Sequence, residues 1–186
     1  NEKLTLHNEA EAKKAYADLV NASYIVNKAE RKDRKQKAFP PFTTSTLQQA
    51  ANRRLGFSAK KTMSVAQQLY EGVSVGRSLT GLITYMRTDS VRLASEAVQS
   101  IRAYVEANFG SEYIPAKANV FSTSKSAQDA HEAIRPTDVN RTPESVAAYL
   151  SSDQLKLYTL IWSRTVQSQM SDAVYDTTVL IIGATG

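Results

Sequence analysis

The alternation of apolar and polar residues divides these 186 residues into strand-like ends and a helical middle. Lys3-Leu-Thr-Leu6 alternates with a period of two, and Asn8 stands where it would cap a helix over Glu9 to Val20. Ser23 to Val26 carries β-formers, so the opening reads strand, helix, strand. Pro40 and Pro41 lack a backbone donor and push the preceding residue out of helix, which marks a domain edge. Beyond them, Thr43 to Ser45 offers hydroxyl caps for a helix from Thr46 to Leu55, closed by Gly56. Ser58 opens a second helix to Glu71, stopped by Gly72. Two short helices, a glycine-rich loop and a strand fit a winged-helix arrangement.

Leu82 to Arg87 is predicted to be extended, with Ile83, Tyr85 and Arg87 on one face and Leu82, Thr84 and Met86 on the other. Asp89 or Ser90 then caps a long helix whose apolar positions Val91, Ala94, Val98, Ile101, Val105 and Phe109 recur at helical spacing up to Gly110. Residues 111 to 127 lose periodicity, and Pro115 with the Ser-Thr-Ser-Lys-Ser run at 122 to 126 reads as loop. Thr142-Pro143-Glu144 starts a short helix to Leu150. Ser152 starts a longer one with Leu155, Tyr158, Leu160, Ile161, Thr165 and Val166 on its apolar side and Trp162 as core filler. From Ala173 β-branched alternation returns the chain to strand.

Composition narrows the chemistry. Hydrophobic residues are 42% and charged ones 22%, ordinary for a globular protein and incompatible with wholesale disorder. The absence of cysteine removes disulfides, thiolate metal sites and cysteine nucleophiles. With only His7 and His131, a zinc site would have to rely on carboxylates. A net charge of +5 suits a polyanionic partner. The basic run Lys28, Arg31, Lys32, Arg34, Lys35 and Lys37, set against Glu30 and Asp33, fits a phosphate backbone or equally a strand edge kept solvated by lysines. The longest apolar run, Val179 to Ile182, is strand-sized and no signal peptide is present, so the cytoplasm is the expected compartment. Opening on Asn1 and ending at Gly186 just after an apolar strand, the sequence reads as a piece of a longer polypeptide.

Two stretches carry candidate chemistry. Tyr85 lies two residues before Arg87. A phenol of pKa about 10 is a poor nucleophile at neutral pH, and an adjacent guanidinium both stabilises phenolate and clamps phosphate. That pairing suits attack on a phosphodiester; a packing tyrosine and a solvated arginine is the plain alternative. His131 and Arg135 stand four apart before Pro136, which favours a last helical turn running into extended chain. An imidazole beside an arginine suits phosphate binding or proton transfer, and a surface histidine near a helix end reads the same. Glu132 does not complete a His-Glu-x-x-His zinc motif, because Arg135 occupies the closing position.

Pro40-Pro-Phe-Thr-Thr-Ser-Thr-Leu-Gln-Gln49, Gln67-Gln-Leu-Tyr-Glu-Gly72, Gly81-Leu-Ile-Thr-Tyr-Met-Arg-Thr-Asp-Ser90 and Ala130-His-Glu-Ala-Ile-Arg-Pro-Thr-Asp138 occur in this order. Together they resemble bacterial type IA DNA topoisomerase I over roughly Phe39 to Asp176. The resemblance implies that Tyr85 attacks single-stranded DNA and becomes linked to a 5′-phosphate, leaving a 3′-hydroxyl for religation after strand passage relaxes negative supercoils. Arg87 would stabilise charge and His131 would serve the scissile phosphate, while Thr88 and Arg135 would hold the DNA backbone. Glu71 falls at a family acidic position of open role. Magnesium would be held by a glutamate and an Asp-x-Asp motif in a domain absent here, and no Asp-x-Asp occurs in the chain.

The implied fold is mainly α with β: a helical domain with winged-helix-like elements, residues 40 to 170, inserted between strands of a partial β-rich arch, residues 1 to 39 and 171 to 186. The expected partners are DNA in the nucleoid and the enzyme's remaining metal-binding and groove segments, with no membrane. These residues alone are expected to bind DNA weakly and not to relax supercoils. A non-catalytic winged-helix module would instead be indifferent to Tyr85→Phe and strongly salt-dependent. An interaction domain docking an acidic protein would bury Tyr85 as packing.

Overall fold

The computed structural model describes residues 4–76, 78–121 and 131–185 and contains both helices and strands. In order these are α1 (Glu9–Val20), β1 (Ser23–Gln36), α2 (Thr44–Leu55), α3 (Ala59–Glu71), β2 (Val73–Val75), β3 (Ser78–Thr80), α4 (Ser95–Phe109), α5 (Pro143–Val146), α6 (Ser152–Ser168) and β4 (Ala173–Thr185). The chain forms two compact units, one of Asn1–Gln36 with Val174–Gly186 and one of Lys37–Ala173.

In the first unit β1 pairs with β4. The basic run as far as Lys35 is part of β1, which continues ten residues past Val26 to Gln36, and Lys37 falls just beyond it. No described residue of this unit is buried. Tyr24, Ile25, Val26, Tyr175 and Leu180 are all more than half exposed. Asn8 caps α1 as its sequence predicts, accepting from the Glu11 N–H, whereas residues 4 to 7 form no strand.

The second unit is built on α2, α3 and α6. Thr43 caps α2 with a reciprocal Thr43–Thr46 capping box, and Gly56 closes it in the left-handed region at φ 67°. Thr62, Val65, Ala66 and Leu69 make one buried stripe along α3. They pack with Leu47, Leu157, Tyr158 and Ile161 in a core that also takes Phe42, Leu82, Ile83, Met86 and Ile134 from irregular segments. Each such aliphatic side chain stabilises the fold by about 1.5–3 kcal/mol when fully buried. Tyr158 donates to the Arg141 carbonyl at 2.6 Å, and burial pushes its phenol well above the ordinary tyrosine range, so it remains a neutral donor. A smaller cluster joins Ile101 and Val105 of α4 to Val139 and Val166, and Trp162 packs against both clusters.

Three expectations fail for identifiable reasons. Leu82 to Arg87 is not a strand: its one bridge pairs Ile83 with Pro136, which cannot donate to extend a ladder. Ile83 accordingly turns into the core instead of sharing a face with Tyr85. The long helix starts at Ser95, not at Asp89 or Ser90. Thr88 Oγ1 and Ser90 Oγ accept from the N–H groups of Ser90 and Arg92, local bonds that compete with a helical turn. Finally, Arg135 does not share a helical turn with His131, since residues 131 to 135 are non-helical. The hydroxyl-rich run at 122 to 126 lies outside the described residues.

Candidate functional site

Four irregular segments are laced together on the second unit. Leu82 donates its N–H to the Leu69 carbonyl at the end of α3 at 2.8 Å, and Thr137 donates to Leu82 at 3.0 Å. Gly81 is required here, because a Cβ would come within 2.7 Å of the Tyr70 carbonyl oxygen. Thr84 N–H reaches the Arg135 carbonyl at 2.9 Å, while Thr84 Oγ1 accepts from the Arg135 N–H at 3.0 Å and donates to Ala133 O at 2.7 Å. Ile134 donates to Phe42 O at 2.8 Å, and Ala133 to Arg92 O at 2.8 Å.

The consequence is an open cleft of about 520 Å³ lined by Thr43, Thr44, Ser45, Arg87, Thr88, Asp89 and His131. Its floor is the start of α2, whose dipole favours an anion, while the Thr44 and Thr46 N–H groups are already bonded to Thr88 O and Thr43 Oγ1. Arg87 and His131 are exposed on its wall, so two of the predicted site residues meet in one place. Thr88 also lines it but is only 8% exposed, and its hydroxyl already accepts from Ser90. Tyr85 does not line the cleft. It stands four residues before Asp89, is 43% exposed, and its ring meets the edge of Tyr70 at 5.3 Å between centroids and 64° between planes. Exposure alternates from Tyr85 to Ser90, placing Tyr85 and Arg87 outward and burying Met86 between them.

Arg135 is not brought to the cleft. It lines a different cavity with Glu96, Ser100 and Asp138. Its Nε and Nη2 donate to Glu132 Oε2 at 2.9 and 2.7 Å, and Nη1 donates to Pro136 O at 3.0 Å. Glu132 Oε1 accepts from the Ala94 N–H at 2.7 Å, tying the approach to α4 to the residue after His131. Glu132→Ala leaves Nε and Nη2 of a largely buried guanidinium and a backbone donor unpaired, so it is expected to lower stability by about 2–3 kcal/mol in urea unfolding, against about 1 kcal/mol for Glu132→Gln. Glu71 is exposed and accepts from the Gln67 side chain.

Thr44, Tyr70 and Glu132 are the contributors that sequence reasoning missed. Thr44 was legible as part of a hydroxyl cluster at a helix start, but only as a cap. Tyr70 and Glu132 act on partners 15 and 38 residues away, and no local pattern announces such contacts.

The family model for DNA topoisomerase matches residues 1–186. The chain is 53% identical over 177 residues to DNA topoisomerase 1 of Campylobacter jejuni, covering 95% of this chain and 25% of that protein. It is 46% identical over 178 residues to DNA topoisomerase 1 of Helicobacter pylori, covering 95% and 24%. It thus spans about a quarter of the length of the curated relatives it matches. Among solved structures, full-length topoisomerase I from Thermotoga maritima superposes with a TM-score of 0.78 at 41% identity, over 98% of this chain and 29% of that one. Match, identity and fold agree over nearly every residue: the chain belongs to the bacterial type IA DNA topoisomerase family.

Proposed function

We propose that this chain carries the nucleophile and part of the phosphate-binding surface of a topoisomerase that cuts and rejoins single-stranded DNA. Tyr85 Oη attacks phosphorus, the Tyr85 O–P bond forms and the P–O3′ bond breaks. The phenol proton leaves and the departing 3′-oxygen gains one. The new 5′-phosphotyrosine retains the ester bond, so the 3′-hydroxyl reseals the strand by the reverse step once another strand has passed, relaxing negative supercoils. Arg87 balances charge on the phosphate or phenolate, and His131 contacts the scissile phosphate region or moves a proton. Thr88 holds its backbone by position more than by a free hydroxyl. Arg135 reaches the DNA backbone only after leaving Glu132.

The observation that carries this reading is the cleft in which Arg87, His131 and the start of α2 converge beside the exposed Tyr85 loop. α2, α3 and the β2–β3 hairpin form the winged-helix-like element of the reading, and β1 with β4 its arch strands. Among the described residues no three carboxylate or imidazole groups converge on a position that could hold magnesium. Its ligands, and the rest of the DNA groove, belong to other segments of the enzyme. No described helix is long and apolar enough to cross a membrane.

The test uses the full-length enzyme with single-stranded DNA and magnesium, quenched with denaturant. A label at the DNA 3′ end is expected to travel with the protein, while a 5′ label is released on an oligonucleotide ending in a 3′-hydroxyl. The reverse distribution, or no protein-linked label, contradicts the reading.

A further inference from the structure

We propose that Thr44 is a positioning residue for Arg87, fastening the backbone on both sides of that arginine to the start of α2; this rests on the reading of the cleft as a phosphate site. Thr44 Oγ1 donates to the Met86 carbonyl at 2.7 Å and accepts from the Thr88 N–H at 2.9 Å. Its own N–H donates to the Thr88 carbonyl at 2.9 Å. Arg87 is therefore bracketed by three bonds to one residue. Met86 to Thr88 lies in neither helix nor strand, so no ladder fixes it otherwise.

The bracket is not needed to cap the helix. Thr43 does that, with its side chain on the Thr46 N–H and the Thr46 hydroxyl on the Thr43 N–H. The Thr44 hydroxyl is thus spent wholly on the segment that carries Arg87. Among the described residues the Arg87 guanidinium has no hydrogen-bond or ion-pair partner of its own, so its place above the cleft comes from its backbone and not from its tip. A guanidinium stabilises developing charge best when it is held in place beforehand.

The experiment measures single-turnover adduct formation by the full-length enzyme on single-stranded DNA, with melting followed by circular dichroism. Thr44→Val is expected to slow adduct formation roughly ten- to a hundredfold, the scale of a small misplacement. Thr44→Ser restores the rate to within about threefold, because it keeps the hydroxyl. In an Arg87→Ala background, Thr44→Val adds less than about twofold, since coupled residues are not additive. A native rate in Thr44→Val, equal slowing with and without Arg87, or no rescue by serine overturns the proposal. If Thr44→Val does not fold, Thr44→Ala runs the same cycle; failure of both to fold also overturns it, because the hydroxyl then supports the whole unit. Tyr85→Phe runs alongside. An adduct persisting there overturns the underlying reading, whereas its loss combined with an indifferent Thr44→Val overturns this proposal alone.

Discussion

Tyr85→Phe in the full-length enzyme is expected to reduce covalent adduct formation by at least roughly 10⁴-fold, the scale of losing a nucleophile. Little else should change. The ring is 43% exposed, and its hydroxyl bonds to no described residue, so the variant should keep its edge contact with Tyr70 and melt within about 0.5 kcal/mol of the native protein. Single-stranded DNA should bind with unchanged salt dependence, because the cleft guanidinium of Arg87 remains. Gel quantification of the adduct beside a filter-binding titration separates these effects. An interaction domain with a packed Tyr85 would show the opposite pattern, losing roughly 1 kcal/mol or more of stability with the hydroxyl.

The second large effect is on the fold that holds the site. Phe42→Ala is expected to destabilise the chain by about 3–5 kcal/mol, measured as a lower midpoint in urea. Phe42 is 0% exposed, its ring lies 4.4 Å from the Arg164 guanidinium, and its carbonyl takes the Ile134 N–H. The cavity would open between the start of α2 and the segment behind His131, so adduct formation should fall further than stability alone accounts for at a temperature where the variant is still folded. Phe42→Leu, which keeps most of the volume, should cost less than about 1.5 kcal/mol.

Local signals in the sequence were reliable where the physics is local. Asn8, Thr43, Ser58 and Thr142 each accept the backbone N–H expected of a cap, and Gly56 and Gly72 end their helices. The buried positions Ile101 and Val105 of α4 needed only periodicity. What escaped was whatever is decided across the chain. The delayed start of α4 follows from hydroxyl and carboxylate acceptors at Thr88, Ser90 and Glu132, the last of them 38 residues from Ala94. Arg135 reads as a free cation only if Glu132, three residues before it, is passed over; that pair and the Pro136 carbonyl beside it are local. The first unit shows the same limit from the other side. β-formers placed the start of β1 and β4 while the alternation before α1 formed no strand, and a two-stranded ribbon with both faces exposed is marginal in water, with nothing in the sequence pattern to say what covers it.

Peptide mapping of the quenched DNA adduct tests the central claim most directly. Trypsin cuts after Lys61, Arg77 and Arg87, so Tyr70 and Tyr85 fall in separate peptides. After nuclease trimming, the remaining nucleotide is expected on the peptide Ser78 to Arg87, whose one tyrosine is Tyr85, joined through its 5′-phosphate. Nucleotide on the peptide Thr62 to Arg77, on any other tyrosine, or joined through a 3′-phosphate would contradict the account.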